Sequence, residues 1–258
     1  MTISPQYLRS AGLTTLLLLA MVSITASATE ITIFSAGAVK PALAELAPEW
    51  KSRTGNRLNI IYATAGDLRK KLAAGERADV VILPLENFAA VEKEGLTLAN
   101  TRRDLGAVGI GVAVKAGTKL PDLSSEAGLK RALIEAKSVT FMDPSRGTSG
   151  KHFDEVVLPK LGIRDAVRAK AKLGEGGMIA ENVASGEIEI AFQQMTELLP
   201  VAGVTIAGPL PPSLQKTTVY SAAVMQTAKS PKEAAALLEF LISSESRKAF
   251  AAKGFSAP

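Results

Sequence analysis

The sequence predicts an α/β fold built on a doubly wound sheet. Three observations carry that expectation. Short β-rich runs alternate with helical patterns along the chain, the order expected of parallel strands joined by crossover helices. The run Ala78–Leu83 is apolar without alternation, as in a strand covered on both faces. The length, 258 residues, exceeds one domain of ordinary size and suits two.

The elements follow in order. Residues 1–28 carry one charge, Arg9, then an apolar run from Leu13 to Ile24, then Ala26-Ser27-Ala28. This is the pattern of a secretory signal cleaved after Ala28. The apolar run is shorter than the ~20 residues a membrane span needs. Glu30–Phe34 is a strand, and Val39–Thr54 a helix with Leu43, Leu46, Ala47 and Trp50 at helical spacing. Pro41 sits in its first turn and Gly55 ends it. Leu58–Tyr62 is a strand, Asp67–Ala74 a helix, Ala78–Leu83 a strand and Asn87–Glu94 a helix. Gly106–Lys115 reads as a strand crossing to a second unit. There Ser124–Glu135 is a helix, Val139–Met142 a strand, and Lys151–Lys160, Asp165–Lys172 and Met178–Ser185 are helices. Glu187–Phe192 and Val204–Ala207 are strands, and Thr218–Met225 is a strand suited to returning to the first unit. Lys232–Ser243 and Ser246–Lys253 close the chain as helices.

Composition narrows the function. Cysteine is absent, which excludes disulfides, thiolate catalysis and Fe–S clusters, and one histidine cannot build a His-based metal centre. No cofactor is expected. Aromatics make up 5%, too few for a base-stacking surface, so no nucleic-acid partner is expected. The net charge is +5; without Arg9 the chain keeps 29 basic and 25 acidic residues, hence +4. The charge is spread along the chain, which favours a small anionic ligand over a nucleic-acid tail.

Three strand-to-helix loops are the candidate binding residues: Ser35, Ala36 and Gly37; Thr64, Ala65 and Gly66; and Thr148, Ser149 and Gly150. A helix start leaves backbone N–H groups unpaired and partly positive, and small residues let an anion approach them. In a doubly wound sheet such loops gather at the carboxyl ends of the strands. Ordinary capping by Ser or Thr is the alternative for any one loop. Arg146 flanks the third loop and is suited to pairing with a carboxylate. Gln193 and Gln194 end a strand and offer amides to a polar ligand. His152, Lys151 and Glu175 are the titratable side chains that the sequence brings near the loops, and so the candidates for any acid–base role.

Several segments resemble the molybdate-binding family of periplasmic solute-binding proteins, including its aconitate-isomerase-like branch. They are Ser35–Ala38 with its helix, Thr64-Ala65-Gly66-Asp67-Leu68, Gly75–Ile82 centred on Ala78-Asp79, Gly147–Gly150, and Ser185-Gly186-Glu187 running into Ile190-Ala191-Phe192. The resemblance spans nearly all of the chain after the signal, in order. It implies a type II periplasmic binding protein: two lobes, 29–107 plus 218–258 and 108–217, joined by crossover strands with an anion between them. It implies a periplasmic monomer with an ABC importer as its membrane partner.

The departures bear on the ligand. Where the family has a serine this chain has Ala38; where it runs serines through the second loop this chain has Thr64, Ala65 and Gly66; it has an alanine at Ser149 and a tyrosine at Gln194. Two lost hydrogen bonds to a charged ligand amount to ~3–6 kcal/mol, so molybdate is expected to bind weakly and a carboxylate better. Two classes remain. The first, favoured on sequence, is a receptor that closes on a small anion and delivers it to an importer. The second is a cofactor-free isomerase of an unsaturated tricarboxylate on the same scaffold.

Overall fold

The computed structural model describes residues 28–258, so the expected signal segment lies outside the described residues apart from Ala28. The first lobe opens with β1 (Glu30–Ala36), a short 3-10 turn (Gly37–Val39), α1 (Lys40–Thr54), β2 (Arg57–Ala63), α2 (Ala65–Ala73), β3 (Val80–Pro84) and α3 (Leu85–Lys93). The long strand β4 (Arg103–Lys115) leads to α4 (Glu126–Glu135) and β5 (Val139–Met142). Then α5 (Thr148–His152), a π-helical turn (Phe153–Val157) and α6 (Leu158–Leu161) run on without a break, and α7 (Arg164–Arg168) precedes β6 (Ala171–Gly174). The chain continues through α8 (Glu181–Ala184), β7 (Ile190–Gln194), α9 (Met195–Leu198), β8 (Val204–Pro209), β9 (Thr217–Val224), α10 (Pro231–Leu241) and α11 (Ser244–Ala252).

The strands run in the order β2-β1-β3-β9-β4-β7-β5-β6, with β8 also paired to β4. Two parallel wings, β2-β1-β3 and β7-β5-β6, are joined by strands that are antiparallel to their neighbours. The sheet is therefore mixed, parallel within each lobe and antiparallel at the expected crossover strands. The reason lies in β4 and β9, which carry the chain from one lobe to the other and back. The first half of β4 pairs with β9 and its second half with β7 and β8.

Side-chain alternation explains why the Val80–Leu83 run is wholly apolar. Val80 and Ile82 join a core with Ile31, Ile33, Leu43, Trp50, Leu238 and Phe250. Val81 and Leu83 face the other way, into a core with Phe34, Leu68, Phe88 and Val91. The closing helices thus pack with β1 and α1. The second lobe repeats the scheme: Val112, Phe141, Phe153 and Phe192 lie on one face, and Ala113, Val183, Ala191 and Leu198 on the other.

Asp79 has a structural task. Its buried carboxylate accepts hydrogen bonds from the backbone N–H of Thr32 at 2.8 Å and of Lys229 at 2.6 Å, tying the approach to β3 to β1 and to the segment that leads into α10.

Three local expectations are corrected. Residues 171–174 form β6, not the end of a helix: the segment pairs with β5, and tertiary pairing overrides its weak helical pattern. The helix expected at Met178–Ser185 is reduced to the single turn of α8, with Gly177 before it at φ +73°. The strand expected to end at Phe192 runs on to Gln194.

Candidate functional site

The carboxyl ends of five strands converge on one cavity. Ala36 ends β1, Ala63 ends β2, Pro84 ends β3, Met142 ends β5 and Gln194 ends β7, and all five line the same space of about 360 Å³. Ligands of doubly wound sheets bind at such a place, and the volume is that of a pocket for a small organic molecule. Pairing of Tyr220 with Pro84 sets Tyr220 beside the end of β3.

The loops expected to form the site divide. Ala36, Gly37, Thr64, Ala65, Thr148, Ser149 and Gln194 line the cavity. Thr64 caps α2, its hydroxyl accepting from the Asp67 N–H at 3.1 Å. Ser35 lies just behind the wall, fully buried, with its hydroxyl donating to the Ala36 carbonyl. Gly150 is a packing position, since a Cβ there would fall 1.7 Å from the Met142 carbonyl oxygen. Gln193 is turned into the lobe, accepting from Ile179 N–H and donating to Gly177 O.

The charged candidates sit elsewhere. Arg146 pairs with Asp67 across the lobes at 2.8 Å, and its carbonyl accepts from the Gly66 N–H at 3.1 Å. Burial acts to raise the Asp67 pKa, but hydrogen bonds from Arg146 and Thr64 prevail and hold it below its ordinary value. Gly66, Arg146, Lys151 and His152 line an outer groove beside the cavity. The His152 Nε2 is 2.8 Å from the Leu214 carbonyl. Glu175 is exposed, 3.7 Å from Arg146. The structure places none of these four ionisable side chains (Arg146, Lys151, His152, Glu175) on the cavity wall.

The ionisable groups that do line the cavity are Lys40, Tyr62, Glu181, Glu197 and Tyr220. None was singled out from the sequence. The available signals were position: Tyr62 lies two residues before Thr64, and Lys40 immediately after the first turn. Glu197 follows the strand end at Gln194, on α9. Lys40 lies over the Tyr62 ring at 5.7 Å from its centroid. Burial pushes the Tyr62 hydroxyl up to about 12. Burial also raises Tyr220 well above its ordinary value, and the neighbouring charge of Glu197 adds to this.

Glu197 is the most perturbed carboxyl. Burial raises its pKa from 4.5 to about 8, opposed by the nearby Gln193 amide. A carboxyl so raised is largely protonated at neutral pH. Its Oε1 lies 2.8 Å from where a Cβ on Gly37 would stand, so a bare glycine is what lets the carboxyl reach the first loop. Gln194 is 2% exposed. Its Nε2 bonds to the Thr218 hydroxyl at 3.2 Å, while its Oε1 has no hydrogen-bond partner among the described residues. This buried amide on the cavity wall therefore keeps unused accepting capacity.

Two α/β lobes with a polar cavity at the meeting point of their strand ends define a ligand-binding protein of the two-lobed periplasmic type. The sequence pattern of the bacterial extracellular solute-binding proteins matches residues 31–256, and the chain belongs to that family. It is 33% identical over 231 residues to an aconitate isomerase of a Pseudomonas species, covering 88% of this chain and 87% of that protein. It is 24% identical over 201 residues to the molybdate-binding protein ModA of Escherichia coli strain K12, covering 76% of this chain and 77% of that protein. Among solved structures it resembles the periplasmic molybdate-binding protein of Azotobacter vinelandii, with a TM-score of 0.75 at 17% identity, over 88% of this chain and 99% of that one.

Proposed function

We propose that the protein works in the periplasm as an isomerase of an unsaturated tricarboxylate, interconverting trans- and cis-aconitate in the cavity between its lobes. The lobes are taken as 29–107 plus 218–258 and 108–217. The observation that carries the reading is Glu197, a carboxyl on the cavity wall whose Oε1 closes on the Gly37 loop and whose pKa burial raises to about 8. A receptor that only binds an anion has no need of such a group, whereas moving a double bond by one carbon requires a proton to leave one carbon and return to another. The relative named an aconitate isomerase, at 33% identity, supports the same choice.

The cavity suits the ligand. Gly37 and Ala38 of the turn after β1 and Thr148 at the start of α5 line it and offer backbone N–H groups, Lys40 offers a cation, and the hydroxyls of Thr64, Thr148 and Ser149 offer donors. Ala36, Ala38, Ala63 and Ala65 leave room where a tight oxyanion cage would place hydroxyls. A second reading, a receptor that delivers a carboxylate to an ABC importer, is favoured by the family and by the ion pairs that close the lobes on each other, Arg146–Asp67 and Lys216–Glu86.

Calorimetric titration of residues 29–258 with trans-aconitate, citrate and molybdate tests the ligand class. Heat of binding with trans-aconitate and none with molybdate is expected. Tight molybdate binding without carboxylate heat would restore an oxyanion receptor.

A further inference from the structure

We propose that Glu197 is the catalytic acid–base of this site, and that it moves the proton across one face of the substrate by itself. The proposal rests on the isomerase reading and names the residue that performs it.

Elimination among the groups lining the cavity leads there. Tyr62 and Tyr220 keep their protons far above neutral pH and cannot serve as bases. Lys40 and Glu181 are exposed at the cavity's edge. Glu197 alone combines partial burial, a place on the wall, and direct approach to the loop after β1, where its Oε1 takes the space above Gly37. A substrate carboxylate seated on that loop's backbone N–H groups would bring the carbon next to it toward the Glu197 carboxyl.

The step balances without a cofactor. The ionised Glu197 takes a proton from the methylene carbon of trans-aconitate. The C–H electron pair moves into the conjugated system, and the charge spreads onto the attached carboxylates as a dienolate. The protonated Glu197 then returns the same proton to the carbon that had been vinylic, and the double bond stands one position over. Nothing is oxidised or reduced. Tyr220, which lines the same cavity and keeps its proton, is the donor assigned to the developing charge.

The surroundings of Glu197 leave it to titrate as a single group. The neutral amide of Gln193 on β7, Tyr220 on β9 and Gly37 in the turn after β1 lie against it, while Gln194 and Lys40 line the same cavity. The charged residues of β4 are engaged elsewhere: Arg103 with Glu239, Asp104 with the Ser221 hydroxyl, and Lys115 against Gly186. Glu86 of α3 acts on Tyr220. The ionised, active form is about a tenth of the population one pH unit below the group's pKa.

The experiment compares wild-type protein, Glu197→Gln and Glu197→Asp, each as residues 29–258, by conversion of trans-aconitate followed by NMR and by calorimetric binding. Wild-type kcat/KM is expected to rise tenfold per pH unit and level off near 8. Glu197→Gln is expected to bind trans-aconitate within about fivefold of wild type and to lose at least a hundredfold in kcat. Glu197→Asp should retain part of the rate with a displaced pH break, which a merely structural role would not produce. Conversion by wild type with an undiminished rate in Glu197→Gln, or an unchanged pH profile in Glu197→Asp, overturns the assignment of Glu197 alone. No conversion by wild type removes the isomerase reading itself, and Glu197 with it.

Discussion

Replacing Glu197 with glutamine should make the protein more stable, and by an amount that depends on pH. In the folded state burial raises the carboxyl from 4.5 to about 8. Below pH 4.5 the group is protonated whether the chain is folded or not, and it costs nothing. Between 4.5 and 8 the unfolded chain loses the proton while the folded protein keeps it, so stability falls as the pH rises. Each unit of difference is worth about 1.4 kcal/mol, which gives a loss of about 3 kcal/mol at pH 7 and about 4–5 kcal/mol above pH 8 by the same conversion. Glutamine does not titrate, so the variant escapes this loss. For a domain of this size the Tm difference should widen by on the order of 10 °C between pH 5 and pH 9. The assay is thermal unfolding by circular dichroism at half-unit pH steps. Glutamine's own packing effect is constant across pH, so the slope of the difference is what decides. A Tm difference that stays flat from pH 5 to pH 9 would refute the burial argument, and with it the titration of this group near neutral pH.

Other outcomes follow from the same geometry. Gly37→Ala sets a Cβ 2.8 Å from Glu197 Oε1; the side chain can swing away, so stability should change by less than ~1 kcal/mol while kcat falls by about tenfold, read from steady-state rates beside a melting curve. Gly150→Ala has no such escape, because its Cβ would fall 1.7 Å from a backbone oxygen; a loss of at least ~2–3 kcal/mol in chemical denaturation is expected. Arg146→Ala removes a partly exposed pair between the lobes rather than a ligand contact, so substrate binding should weaken by no more than about fivefold, measured by calorimetry; a loss of a hundredfold would mean that Arg146 touches the ligand.

Much of the scaffold was legible because its signals are local. The doubly covered strand at Val80–Leu83 declares itself by an unbroken apolar run, and α1 by its spacing, its early Pro41 and the left-handed Gly55 that stops it. The segment 171–174 was not legible, since Lys172 and Leu173 are exposed and the strand exists through its pairing with β5. The loops were readable as strand ends, and Gly37, Thr64, Thr148 and Ser149 do line the cavity. The charged groups were misplaced for one reason. Nearness to a loop in sequence does not say which side of the loop a side chain takes, and Arg146, Lys151 and His152 all take the outer side. Glu197 left no local mark at all. One acidic residue in a four-residue helix reads as a solvated charge, and its burial is tertiary, with Gly37, 160 positions earlier in the chain, against its Oε1.

The proposed isomerase turns over a tricarboxylate in this cavity rather than merely holding one. The most direct test is incubation of residues 29–258 with trans-aconitate, free of added metal or cofactor, with the vinyl and methylene protons followed by NMR over time. Catalytic appearance of cis-aconitate, many turnovers per protein and faster at pH 8 than at pH 6, is the expected result. Saturable binding of trans-aconitate with no cis-aconitate formed at either pH would contradict it and leave a carboxylate receptor in its place.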